Sequence, residues 1–321
     1  MEPLGPIPLP EIEAARARIE GAAIRTPLLP LDDRDSGRRV WLKLECLQPI
    51  GSFKIRGAAN AMALADPAEL AAGVYTGSAG NMAQGVAFNA RRLGVDCRVV
   101  VPDSAPGAKL DAIARLGATA VPVPFDEWWS VLRDHGHPDE SGLFVHPVSD
   151  PAVIAGNGTI GLEILEDLPE VGAVVVPFGG GGLSCGIASA MKAIRPEVLV
   201  YAAEVETAAP LSASLALGRP TDVDRAPTFV DGIGGKGVLP EMWPLASTLL
   251  DGSIVRSIDQ ICEAIRTLAS DAHVIAEGAG ACALAAALAD DLGGADVVAV
   301  VSGGNIDTDV LARILAGAAP D

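Results

Sequence analysis

The sequence predicts an α/β fold, an open and mostly parallel sheet with helices on both faces. Two observations carry this prediction. Continuous apolar runs, such as Ala-Val-Val-Val-Pro at 173–177, alternate with stretches of helical period; strands buried on both faces produce that pattern. At several strand ends stand loops made largely of Gly, Ser and Asn, and open parallel sheets place their ligands at those ends.

Taken in order, residues 10–24 set Ile12, Ala15 and Ile19 at helical spacing and stop near Gly21. A short strand at 40–44 leads into Gly51-Ser52-Phe53-Lys54. Strand-like runs at 73–76, 97–101 and 119–122 are followed by helical stretches at 81–93, 107–116 and 126–134. In the second half, 173–177 precedes a helix over 182–194, and a strand at 199–203 follows. Helical stretches near 259–272 and 279–290 lead to a last strand at 296–301 and a helix from Asp307. No repeat of fixed period and no low-complexity linker divides the chain.

Half of the 321 residues are hydrophobic and only 4% are aromatic, so Ala, Val, Leu and Gly must do most of the packing. Acids outnumber bases 41 to 23, a formal charge of −18. That field repels nucleic acid and anionic membranes, so neither is expected as a partner. An anionic ligand must then be held by local dipoles, at helix N-termini and glycine turns. The five cysteines are scattered, with no Cys-x-x-Cys pair and no Cys/His cluster, which indicates neither zinc nor a disulfide framework. The N-terminus lacks the basic and apolar regions of a signal peptide, and apolar stretches are broken before membrane-spanning length. A soluble, cytoplasmic protein is expected.

Four loops carry candidate chemistry. In Gly51-Ser52-Phe53-Lys54-Ile55-Arg56-Gly57, Lys54 begins a helix. A helix N-terminus and partial burial both lower an amine's pKa, favouring the neutral nucleophile that imine formation needs; a lysine there is otherwise a solvated surface charge. In the loop at 76–85, Ser78, Ala79, Gly80 and Asn81 stand between strand and helix, where free N–H groups can hold a carboxylate. The same residues would equally make an ordinary helix cap. Gly179, Gly180, Gly181 and Gly182 strip every Cβ from the third turn, which lets main-chain N–H groups surround a phosphate. This loop is not a P-loop, because no Gly-Lys-Ser/Thr follows. In the fourth, Ser302-Gly303-Gly304-Asn305, a hydroxyl at a strand end can bond a heteroaromatic nitrogen.

The ordered set Ser-Phe-Lys, Ser-Ala-Gly-Asn, Gly-Gly-Gly-Gly-Leu and Ser-Gly-Gly-Asn resembles the pyridoxal-phosphate enzymes of the serine/threonine dehydratase and serine racemase family. The likeness covers nearly the whole chain. It takes in Arg25-Thr26-Pro27-Leu28, His146-Pro147, the run at 151–156, Asp231-Gly232 and Glu277-Gly278-Ala279-Gly280. The resemblance implies a two-lobed fold type II enzyme, with a large cofactor-binding domain from 1–72 and 150–321 and a small domain, 73–149, inserted in it. It implies pyridoxal 5'-phosphate held as a Schiff base by Lys54, which later moves the α-proton. Phe53 and Asn81 would contact the ring, Asn81 near its 3-hydroxyl. Gly179 to Gly182 and Leu183 would hold the phosphate, with Gly232 also at the cofactor and Ser302 at the pyridine nitrogen. The substrate would lie against Ser78, Ala79, Gly80, Asn81 and Met82.

The implied reaction is β-elimination of a β-hydroxy amino acid to a 2-oxo acid and ammonia, as in threonine and serine dehydratases, by a homodimer. A hydroxyl at the ring nitrogen does not force protonation as a carboxylate would, which favours prompt loss of a β-leaving group. A racemase, a β-replacement synthase or a catalytically silent cofactor-binding relative is the alternative. Position 79 separates the branches. Serine racemases carry a serine there, and Ala79 has no proton to give.

Three departures stand out. Met82 replaces the usual His, softening that edge of the pocket, and Asn157 replaces a Gln. Glu204 and the Ala208 carbonyl match part of a divalent-cation loop that would take Mg²⁺, but Pro210 stands where an acidic ligand is expected. The chain ends soon after Asn305, leaving no room for a C-terminal regulatory domain, so feedback by isoleucine is not expected.

Overall fold

The computed structural model describes residues 2–31, 39–289, 292–293 and 296–320. The chain begins with α1 (Leu9–Arg18), β1 (Leu28–Leu31), β2 (Arg39–Lys43), α2 (Lys54–Leu64) and α3 (Pro67–Ala71). Next come β3 (Val74–Gly77), α4 (Asn81–Leu93), β4 (Cys97–Pro102), α5 (Gly107–Arg115), β5 (Thr119–Val123), α6 (Phe125–Arg133) and β6 (Leu143–Phe144). The second half holds α7 (Pro151–Asp167), β7 (Ala173–Pro177), α8 (Gly182–Ile194), β8 (Leu199–Val205), α9 (Pro210–Leu217) and α10 (Trp243–Leu249). It closes with β9 (Gly252–Arg256), α11 (Ile258–Ser270), α12 (Gly278–Ala289), β10 (Asp296–Val300) and α13 (Thr308–Leu315).

The strands form two sheets. The larger has six strands in the order β1-β2-β10-β7-β8-β9, and the smaller has four in the order β5-β4-β3-β6. All neighbours pair in parallel except β1, which runs antiparallel to β2 at one edge. Strand β7 shows why its residues form a central strand. Val174 and Val176 enter the core under α1, α7, α8 and α10, while Ala173 and Val175 enter the core under α11 and α12 on the other face. Successive side chains point to opposite faces, so a strand covered on both sides must be apolar throughout.

The core of the smaller sheet does not stop at its own helices. Ala58, Ala61 and Met62 of α2 and Val153 of α7 pack with Val74, Val99 and Val101. Helix α2 thus lies between the sheets. Some elements differ from the sequence reading. Helix α1 ends at Arg18, with Ile19 as its cap. Helix α7, capped by Asp150 accepting from the Ala152 N–H at 2.7 Å, and strand β9 were not marked by periodicity. No helix among the described residues is long and apolar enough to cross a membrane.

A buried ionic network fixes the position of α2. Arg56, 1% exposed, reaches Glu45 through Nε and Nη2 at 2.8 Å and Glu163 of α7 through Nη1 at 2.6 Å. Lys43 of β2 donates to Glu163 at 2.6 Å, and Thr26 donates to Glu45 at 2.6 Å. The paired guanidinium holds the Glu45 carboxyl below its ordinary range despite burial, which acts the other way. We expect Arg56→Met to leave the buried Glu45 carboxylate without its cation and Glu163 with Lys43 alone, costing about 3–5 kcal/mol. A fall in the urea midpoint checks this, and an unchanged midpoint would contradict it.

Candidate active site

Lys54 is the first residue of α2, directly before the turn that carries Arg56 into its network. Its Nζ donates to the Pro147 carbonyl at 2.8 Å and lies 5.2 Å from the Phe53 ring centroid. Burial pushes the amine down to about 8, while the charge of Glu277 pulls the other way. A useful fraction is therefore neutral near physiological pH, as a nucleophilic amine requires.

The glycine loop joins β7 to α8. Gly181 sits at φ +97°, where L side chains are strained. A Cβ on Gly180 would come within 2.5 Å of Val148, so that position admits no side chain. A Cβ on Gly179 would lie 3.2 Å from the Gly232 carbonyl, which sets Gly232 against the same loop. The N–H groups of Gly182, Leu183 and Ser184 open α8 and are the unpaired donors of a helix N-terminus. The Leu183 side chain itself belongs to the core of the larger sheet, so any contribution to a ligand comes from its main chain.

Ser302 follows β10 and is 3% exposed. Its carbonyl accepts the Phe53 N–H at 3.0 Å, and Ser52 bridges Gly303, so the fourth loop is laced to the first. Asn81 starts α4. Its Nδ2 donates to Glu277 at 2.9 and 3.1 Å, and its Oδ1 accepts from Asn305 Nδ2 at 2.7 Å. Asn305 Nδ2 also donates to the Ile50 carbonyl at 2.9 Å. A carbonyl can only accept, so this fixes the Asn305 amide, which in turn fixes that of Asn81. Burial raises the Glu277 carboxyl to about 7, with the Asn81 bonds opposing.

The contacts close a ring. Lys54 touches Pro147, Val148 underlies the glycine loop, that loop meets Gly232, Gly232 lies against Glu277, and Glu277 holds Asn81 beside Gly303. These contacts, with the Phe53 N–H on the Ser302 carbonyl, link Phe53, Lys54, Asn81, Gly179 to Gly182, Gly232 and Ser302 as a chain of neighbours. Ser78, Ala79 and Gly80 stand half-buried at the N-terminus of α4, with Ser78 Oγ accepting the Gly80 N–H at 3.2 Å. The sequence reading passed over Glu277, Asn305 and Pro147 as site residues. Glu277 and Asn305 belong to recognised motifs, yet only tertiary contact shows what they face.

Two expectations are corrected. Met82 is 1% exposed and packs in the core of the smaller sheet, so it does not form a soft edge of the pocket. Glu204 accepts the Leu211 and Ser212 N–H groups at 2.8 Å and the Ser253 hydroxyl at 2.6 Å. Its carboxylate caps α9, whose first residue is Pro210. Among the described residues no group of three His, Cys, Asp or Glu is placed to hold a metal. Glu204 and the Ala208 carbonyl therefore do not fit the oxygen-rich shell of Mg²⁺.

The donor set does fit pyridoxal phosphate: a lysine amine of lowered pKa, an aromatic ring beside it, a Cβ-free cradle at a helix N-terminus, and a strand-end serine. A family model for pyridoxal-phosphate dependent enzymes matches residues 19–303. The chain belongs to that family. It is 42% identical over 316 residues to an L-threonine ammonia-lyase of Thermotoga maritima, covering 96% of this chain and 78% of the relative. The maize serine racemase structure superposes with a TM-score of 0.89 at 31% identity, over 97% of this chain and 98% of the other. The processed form of threonine deaminase isoform 2 from Solanum lycopersicum gives 0.86 at 34%, over 96% and 87%. The protein shares the fold type II architecture and is a pyridoxal-phosphate dependent enzyme.

The charge of Glu277 acts on the Lys54 amine, raising it against the effect of burial. Replacing the carboxylate by an amide in Glu277→Gln keeps an acceptor for Asn81 but removes the charge that holds the ammonium form. We expect the Lys54 amine to titrate below about 8 in this variant. The pH dependence of lysine labelling in the cofactor-free protein, read by mass spectrometry, checks this. An unchanged or higher value would refute the coupling.

Proposed function

We propose that the protein is a pyridoxal-phosphate dependent ammonia-lyase that removes water and then ammonia from a β-hydroxy amino acid of the threonine or serine class. The observation that carries the reading is the pairing of Lys54, an amine with a lowered pKa, with Ala79, a methyl group where serine racemases bear a hydroxyl. One residue can take the α-proton, and no partner at position 79 can return one to the other face. The relatives named as threonine ammonia-lyases support the same reaction.

When bound, the cofactor supplies an electron sink for the negative charge left on the α-carbon. The chain's own residues do the rest. Ser78 and the N-terminus of α4 hold the substrate carboxylate. Lys54, as a neutral amine, would accept the α-proton. The glycine loop and the start of α8 hold the phosphate. Ser302 would offer a neutral hydroxyl to the ring nitrogen, and Phe53 would lie beside the ring. Asn81, its amide already oriented by Asn305 and Glu277, would stand near the ring oxygen.

The reading includes the division into a large domain, 1–72 and 150–321, and a small one, 73–149, which the two separate sheets support. It also takes the enzyme to be a cytoplasmic homodimer acting on a small amino acid, as the family resemblance implies. It contains no Mg²⁺ step.

The test is a panel of β-hydroxy amino acids with ammonia and 2-oxo acid measured together. We expect equal amounts of both from at least one member. In Lys54→Ala we expect the yellow colour to be lost and turnover to fall by about 10²–10⁴-fold. Interconversion of enantiomers without 2-oxo acid would replace this reading by a racemase.

A further inference from the structure

His146 stands between β6 and α7, in the segment whose Pro147 carbonyl accepts from Lys54. It is 2% exposed. Its Nε2 lies 3.0 Å from the Leu132 carbonyl at the end of α6. A carbonyl only accepts, so Nε2 carries the proton. Its Nδ1 lies 3.1 Å from the Val148 N–H and 2.8 Å from the Ser149 N–H. Both are donors, so Nδ1 is bare. The ring is therefore the neutral Nε2–H tautomer, wedged inside a turn that it closes.

That turn carries two contacts of the site. The residue after His146 gives its carbonyl to Lys54 Nζ at 2.8 Å. The next, Val148, fills the space against Gly180, and its carbonyl would meet a Cβ on Gly182 at 2.7 Å. One imidazole thus fixes both the resting place of the amine and the floor of the anion cradle. A second ring keeps it there. His135 stacks on His146 at 4.1 Å and 13°, and reaches Ser149 at 3.3 Å and Glu241 at 3.2 Å. Glu241 precedes Met242, which packs near Gly181.

We propose that His146 is a positioning residue for the reaction, a neutral template that aims the Pro147 carbonyl at Lys54 and holds Val148 under the glycine loop. The proposal rests on the reading of Lys54 as the cofactor's anchor. Burial, with His135 beside it, pushes the His146 ring down to about 4, so it stays in its templating form at working pH. The charged or titratable groups facing it are His135, Glu241 and Lys54.

Three measurements test it. With the four histidines labelled by ¹⁵N, the His146 nitrogens should report the neutral Nε2–H form from pH 8 down to pH ~5. A protonated ring at pH ~6, or an Nδ1–H tautomer, would overturn the proposal. In the cofactor-free protein, His146→Phe should speed amide exchange in the peptide spanning 145–150, whereas His146→Asn, whose Oδ1 can stand in for Nδ1, should restore protection. In the loaded enzyme, His146→Phe should weaken cofactor binding and lower kcat by about tenfold or more with KM little changed, and His146→Asn should recover most of both. Equal behaviour of Phe and Asn variants would sink the idea. Wild-type protein that binds no cofactor at Lys54 would instead refute the functional reading, while the exchange and ¹⁵N data would still judge the template.

Discussion

The guanidinium of Arg56, shared between Glu45 and Glu163 where water does not reach, is the constraint on which the site depends. A buried charge is tolerated only when paired and hydrogen-bonded, so its partners cannot drift without large cost. Those partners lie just after β2 and on α7, while Arg56 lies two residues after Lys54. The network therefore ties the first turn of α2 both to the segment that follows β2 in the larger sheet and to α7. Everything that Lys54 does begins from a backbone held this way.

Around that fixed point the protein works with dipoles rather than net charge. The chain carries −18 overall, yet its candidate anion sites are the N-termini of α8 and α4, where unpaired N–H groups face outward from the strand ends. The charged groups that remain inside are tuned by burial. Lys54 is lowered to about 8 and Glu277 raised to about 7, with the Glu277 charge opposing the lowering of Lys54. Desolvation drives both shifts, one in each direction, because it opposes whichever form is charged. Hydrogen-bond direction does the rest. The chain from the Ile50 carbonyl through Asn305 to Asn81 and Glu277 has one consistent donor order, so Asn81 is set before any ligand arrives.

Much of this was legible in the residues. The strand at 173–177 and the helices at 81–93 and 182–194 match the structure residue for residue, because a glycine or a polar cap marks each boundary and an apolar period fills each interior. The four loops could be singled out for the same reason: runs of Gly, Ser and Asn at strand ends have few structural uses. Met82 was misread because a sequence neighbour of Asn81 looks like a pocket neighbour, whereas on a helix adjacent residues point roughly 100° apart. Glu204 was misread because a motif names a carboxylate without saying which N–H groups already occupy it.

The sequence by itself indicated the α/β class through its apolar runs and Gly-rich strand ends, and the ordered motifs, through the family they resemble, implied the cofactor and the parts of Lys54, Ser302 and the glycine loop. It also supplied Ala79, whose missing hydroxyl is a covalent fact that no folding alters. Only the tertiary structure decided that Glu277 faces Asn81, that Arg56 locks α2, and that His146 braces the turn between Lys54 and the glycines. Those roles join residues up to about two hundred positions apart, Asn81 and Glu277 being separated by 196. Their meaning lies in burial and hydrogen-bond direction, which exist only once the chain has folded.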